Sequence, residues 1–305
     1  MNKSSHIAGL LFATIFGFSF MFSKVALAYV SPIGLIAYRF LVAFIIFELL
    51  RLTKVVTIKF HKYQVKALLF VVLFQPILYF LFETYGLNFT TSAEAGMMIA
   101  LIPIFVTILS GLILHERIKG IQIFFILLSV TGVIFIQLAK TNGGLQFQIL
   151  GFVLLLLAVI SAAMFNIASK SASKHLKPYE LTYFMMLSGA IVFNMIYITQ
   201  LLILRTPAVY YQVLTNVEVL LPIIYLGSIA SIGGFFLVNY ALSKLPAHVT
   251  SIYANLSTIV AIIAGAIFLN ETLYIYHIIG SAMIITGVYG VVRTNRKQNK
   301  KFIKV

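Results

Sequence analysis

The chain has 305 residues, 61% of them hydrophobic and 10% charged, with a mean hydropathy of +1.06. A soluble domain is closer to half apolar and about a quarter charged, so this composition cannot cover a water-facing surface. Cysteine, tryptophan and aspartate are absent, which excludes disulfides, a thiolate metal site and thiol chemistry, while the net charge of +15 has to be read from where the basic residues fall.

Apolar runs of about 20 residues follow one another almost end to end, each long enough to cross a hydrocarbon layer about 30 Å thick. The apolar–polar alternation of a transmembrane strand does not fit runs such as Leu150–Ile160. The expected fold is an all-α membrane protein with ten transmembrane helices, near 6–28, 32–51, 63–87, 92–114, 118–138, 147–170, 180–204, 217–242, 247–269 and 274–292. The connections are short and leave no room for a soluble domain.

In the first run, Lys3 followed by apolar residues and Ala26-Leu27-Ala28 has the outline of a cleavable signal peptide. The stretch from Ile7 to Ser23 is longer than a usual signal core, and Lys24 sits inside the would-be cleavage region, so the run is expected to remain as the first span. Lys24, one turn from the outer end, is expected to snorkel to lipid headgroups.

Ionisable groups inside spans are costly and are functional candidates by default. Arg39 is the only base near mid-membrane. Two readings stand for it: binding an anionic group or pairing with a glutamate, and a structural role donating to helix carbonyls. In the third span Gln75, Tyr79 and Glu83 are spaced by four and share one face. Lipid would not tolerate that polar face, so it is expected to point into the protein or a wet cavity. Glu94 opens the fourth span. Glu83 and Glu94 are candidates for proton coupling or for attracting a cationic group, against the plainer reading of two hydrated acids at an interface. Glu48, Glu180 and Glu218 fall near span ends, where interfacial solvation explains them.

Asn166 on the sixth span, Asn239 on the eighth and Asn255 on the ninth carry donors and acceptors that suit a substrate amine or carboxylate. Such residues also simply hydrogen-bond packed helices, as does the stripe Ser251, Asn255 and Thr258. Pro76, Pro103 and Pro222 are expected to kink their helices. The six histidines are dispersed, so no metal site and no cofactor are expected.

With the N terminus placed inside, 18 of the 22 Lys and Arg residues fall on the cytoplasmic side. They include the cluster Arg51, Lys54, Lys59, Lys62 and Lys66, and the tail from Arg293 to Lys304. This satisfies the positive-inside rule and puts both termini in the cytoplasm, with the protein in the cell (inner) membrane. The basic residues then face anionic lipid headgroups, and nucleic acid is excluded as a partner.

The chain also resembles itself. At an offset of 146, Ser23-Lys24 falls on Ser169-Lys170 and Pro32 on Pro178. At an offset of 155, Tyr85 meets Tyr240, Glu116 meets Glu271, and Thr131-Gly132-Val133 meets Thr286-Gly287-Val288. The nine-residue difference between offsets is assigned to the loop near 206–216. Residues 1–140 and 141–305 are thus expected to form two five-helix repeats, and an odd number of spans makes the second inverted.

On these residues, together with Gly17-Phe18-Ser19-Phe20, Tyr85-Gly86-Leu87, Thr91-Ser92-Ala93 and Ile102-Pro103, the sequence resembles the drug/metabolite transporter superfamily, in its ten-helix branch of EamA-type permeases. The resemblance covers essentially the whole chain and implies a 5+5 inverted-repeat fold with a central cavity and export of metabolites or amphipathic compounds.

The reading that follows is a secondary transporter exporting a small organic solute, such as an amino acid, by alternating access. No GxxxxGK[ST] stretch is present to bind ATP. The alternative within transport is a multidrug or lipophilic-cation exporter. A sensor or a lipid-handling enzyme is disfavoured, because the sequence has no aspartate pair, HExxH or GxSxG and no output domain.

Overall fold

The structure is a computed structural model that describes residues 3–58, 64–113, 120–139, 145–245, 247–251 and 253–302. Among these residues every regular element is helical and there is no strand. Ten apolar spans succeed one another. The first is Lys3–Leu27, the second Pro32–Leu52 and the third Val65–Asn88. The fourth is made of Ser92–Ile99 and Ile102–Ile113, and the fifth is Gly120–Ala139. The sixth is Leu145–Ala172, the seventh Pro178–Ile203 and the eighth Val217–Lys244. The ninth consists of Ala247–Ser251 and Tyr253–Phe268, and the tenth starts at Ile275. Among the described residues seven helices are long and apolar enough to cross a membrane, and Gly120–Gly132, Tyr253–Phe268 and Ile275–Gly287 are shorter apolar stretches.

Local chemistry sets the ends. Ser31 accepts from the Gly34 N–H at 3.3 Å while Pro32 fills the first helical position, where an N–H would have no partner. Thr91 and Glu94 close a reciprocal capping box at the start of the fourth span. Arg205 (φ 56°) and Asn270 (φ 51°) stop helices in the left-handed region, which asparagine tolerates better than most side chains.

The prolines act differently from one another. The third span breaks at Gln75, whose φ −152° and ψ 115° are extended, just before Pro76. The fourth divides next to Pro103, where Ala100 and Leu101 lie between its two helices. Pro222 is kept inside a helix, and the eighth span widens into π-type turns only beyond it, over Tyr225–Gly234.

The spans pack in a recurring pattern. The second lies against the seventh, the fourth against the ninth and the fifth against the tenth. The first packs on the eighth and ninth, and the sixth packs on the third and fourth. Exchanging first for sixth, second for seventh, and so on through the series, returns these pairings to themselves. Two apolar cores result, one centred on Phe40, Phe193 and Phe235, the other on the fourth span with Leu155 and Val159.

Part of the nine-residue offset difference falls within a helix. The seventh span has 26 residues against 21 in the second, and the eighth 28 against 24 in the third. The five extra residues of the seventh span thus fall before the loop near 206–216 to which the sequence reading assigned the difference.

Candidate functional site

The first, third, fourth, sixth, eighth and ninth spans surround a cavity. Its walls are aromatic: Phe12, Phe16 and Phe20 from the first span, Tyr79, Phe165 and Phe235 from others. Polar groups converge on it from Gln75, Asn166, Thr250, Ser251 and Ser257. It is a small, partly open chamber between these spans. Asn166, Val238 and Thr250 all lie near helix ends on the N-terminal side of the bundle, so the cavity is displaced towards that side.

A smaller cavity adjoins it and shares Phe16, Phe20, Gln75, Tyr79 and Phe235. It adds Arg39 and Glu83, each 4% exposed. Arg39 Nε donates to Ser231 Oγ at 2.9 Å, and its guanidinium carbon lies 4.3 Å from the Phe80 ring centroid. Glu83 Oε2 accepts from the Thr84 hydroxyl at 3.0 Å. Both side chains line this one space, so a charge on either is felt by the other. A buried charge without a partner costs several kcal/mol, so each makes the other tolerable.

The sequence placed Gln75, Tyr79 and Glu83 on one helical face. All three line the smaller cavity, although the helix is interrupted at Gln75 itself. Of the asparagines, Asn166 lines the larger cavity while its Nδ2 donates to Ala162 O at 2.8 Å. Asn239 does not line either cavity. It is fully buried, donating to Thr182 Oγ1 at 3.0 Å and accepting from Ser169 at 2.8 Å, which ties three helices together. Asn255 is outside both linings too, with a buried Oδ1 that has no hydrogen-bond partner. Ser231 and the aromatic walls escaped the sequence reading, because serine and phenylalanine are common in any span.

Glu94 lies apart from the cavities, 2% exposed at the opposite end of the bundle from the N terminus. There Glu271 accepts from Ser92 N at 2.8 Å, Ser92 Oγ at 2.9 Å and Ala93 N at 3.0 Å. A side chain at Gly265 would collide with that carboxylate, so glycine lets it reach the helix start. Glu116, its counterpart by offset, lies outside the described residues.

Lys24 does not reach for headgroups. Its Nζ donates to Leu87 O at 2.9 Å and to Thr90 O, closing the end of the third span. Terminal carbonyls of a helix lack intrahelical partners and sit at the negative end of its dipole, so they out-compete the interface for the ammonium. Glu48 pairs with Arg51 and accepts from Tyr183 at 3.0 Å.

A ten-span helical bundle with a central aromatic cavity and a buried cation and anion beside it defines a polytopic membrane transporter. The profile of the EamA-like transporter family matches residues 3–138 and again 149–293, and the chain belongs to that family. It is 36% identical to the uncharacterized transporter YcxC of Bacillus subtilis (strain 168), over 97% of this chain and 95% of that one. It is 26% identical to a "Probable amino-acid metabolite efflux pump" of Escherichia coli (strain K12), over 95% of each. A solved crystal structure at 17% identity aligns with a TM-score of 0.71, covering 98% of this chain and 99% of that one, which shows the shared fold alone.

Proposed function

We propose that this transporter exports a small zwitterionic metabolite of the amino-acid kind, by alternating access between residues 1–140 and 141–305 acting as inverted repeats. The observation that carries the reading is the joined pair of cavities. An apolar, aromatic chamber leads to one buried guanidinium and one buried carboxylate, Arg39 and Glu83. A guanidinium and a carboxyl lining one space suit a solute carrying both an ammonium and a carboxylate, and the aromatic walls suit its apolar body. A lone lipophilic cation fits less well, because Arg39 would repel it in the same space. The name of the Escherichia coli relative supports this substrate class.

The repeat is supported by the twofold family match and by the pairing of spans that survives exchange of the halves. The distribution of basic residues supports cytoplasmic termini in the cell membrane. Energy comes from the solute's own gradient or from a proton gradient. Purified protein in vesicles preloaded with single amino acids tests the reading, with and without an imposed pH gradient. Efflux above that of protein-free vesicles, lost on Arg39→Gln, is the expected result. No efflux for any zwitterion, with transport of lipophilic cations instead, would overturn it.

A further inference from the structure

Gln75 borders both cavities and is 6% exposed, yet its amide has no hydrogen-bond partner among the described residues. Tyr79, one turn further on, also borders both, and its hydroxyl is equally without a partner. Neither polar group is shut off from open space, so the amide and the hydroxyl open onto the cavities they line. We propose that Gln75 and Tyr79 form the site that binds the polar head of the solute where the two cavities join, and that the neutral amide of Gln75 selects a zwitterion over an amine without a carboxylate. This site rests on the transport reading for the class of its solute.

The local sequence puts the amide there. A proline disfavours helical geometry in the residue before it, and Gln75, followed by Pro76, is extended at φ −152° and ψ 115°. Irregular backbone at membrane depth is tolerated where it lines a cavity or is buried in protein. An amide withdrawn from water without a partner is destabilising, so a group inside the cavity has to satisfy it. The scaffold itself does not ask for these side chains. At the offset of 155, the eighth span carries Ala230, Gly234 and Val238 where the third has Gln75, Tyr79 and Glu83. Both spans widen into π-type turns at this level, over Leu73–Leu78 and Tyr225–Gly234, so the second copy keeps the backbone feature without those polar groups.

The chemistry of the pair fits one kind of head group. A glutamine amide presents N–H donors and a carbonyl acceptor on one planar group, so it donates to a carboxylate and accepts from an ammonium of the same solute. The Tyr79 hydroxyl adds a further donor for the carboxylate. Arg39 and Glu83 line the same smaller cavity and supply the charges, while the amide adds hydrogen bonds without favouring either sign. A carboxylate at position 75 would instead repel the solute's carboxylate and attract its ammonium. Phe16, Phe20 and Phe235 border both cavities as well, so the apolar body of a solute held at the junction meets aromatic rings.

Thermal unfolding of the purified full chain in detergent separates binding from structure. It is measured alone, with each standard amino acid over a concentration series, and with isopentylamine and phenethylamine, the decarboxylated forms of leucine and phenylalanine. Gln75→Leu alone is expected to unfold at the parent's temperature or above it, since no hydrogen bond within the protein is lost. Its affinity for the amino acids that stabilise the parent should fall at least about tenfold, and that of Tyr79→Phe about three- to tenfold. Gln75→Glu should shift the ratio of affinities at least about tenfold from the amino acids towards the two amines. A Gln75→Leu protein that is less stable alone but binds amino acids as the parent does would make the amide structural and overturn the site. Parental affinities and an unshifted ratio in Gln75→Glu would overturn it too. Equal stabilisation of the parent and Gln75→Leu thus counts against Gln75 alone, whereas a parent stabilised by no amino acid would overturn the zwitterion reading and the ligand of this site with it.

Discussion

Lys170 does in the second half of the chain what Lys24 does in the first. Lys24 Nζ bonds the carbonyls of Leu87 and Thr90, and Lys170 Nζ bonds those of Leu242 and Leu245, at 2.8 and 2.9 Å. The donors are 146 residues apart and both pairs of acceptors 155 apart, the same two offsets at which the sequence matches itself. Each lysine closes the open end of a helix from its own half, at opposite ends of the bundle.

Removing either ammonium leaves two carbonyls short of a donor. Lys24→Met and Lys170→Met are each expected to cost about 1.5–3 kcal/mol, the worth of hydrogen bonds to a charged group. Thermal unfolding in detergent measures this, and Lys54→Met, on an exposed loop, is the control. A Lys24→Met protein as stable as the parent would return Lys24 to the headgroups.

Arg39 and Glu83 are expected to be coupled. Arg39→Gln and Glu83→Gln should each destabilise, and the double variant should recover about 1–3 kcal/mol relative to their sum. Solute efflux should fall in all three, because the paired charges are what the proposed solute meets. Strictly additive stabilities would show that the two charges do not support one another, and normal efflux in all three would remove them from the binding site.

Topology is testable at exposed positions at or beyond the ends of spans. Asn88→Cys and Thr272→Cys are expected to label from outside the cell, while a reporter at the C terminus is expected in the cytoplasm. Thr272 is preferred to Asn270, which takes a left-handed φ of 51° that cysteine would strain. Labelling of both cysteines only after the membrane is opened would reverse the orientation.

Glu271→Gln should weaken the hold on the fourth span, since an amide offers one acceptor oxygen where the carboxylate uses two. A loss of about 1–3 kcal/mol is expected. Gly265→Ala should have a similar effect by pushing the carboxylate away. If Gly265→Ala unfolds the protein while Glu271→Gln is neutral, close packing and not the cap explains the glycine.

Sequence by itself determined that this is a ten-span helical membrane protein, and nearly where each span lies. Runs of apolar residues state the solvent they need, and the length of each run is set by the thickness of the bilayer. Self-similarity and the basic clusters are equally local to the text, so the expectation of a repeat and of an orientation could be formed there. The shared face of Gln75, Tyr79 and Glu83 was readable too, because helix phase survives over two turns even with Gln75 out of helical geometry.

Only tertiary structure decided the partners. Arg39 meets Ser231, 192 positions away, and Ser92 meets Glu271, 179 away. His277 stood out from no other histidine until folding set it against Glu94. Lys24 looked interfacial because the carbonyls it satisfies lie more than 60 residues on. Asn239 and Asn166 look alike in sequence, yet one is sealed among three helices and the other borders the cavity. Hydrophobicity and helix phase are properties of neighbours in the chain, whereas polar pairing inside a bundle depends on which helices pack and at what height.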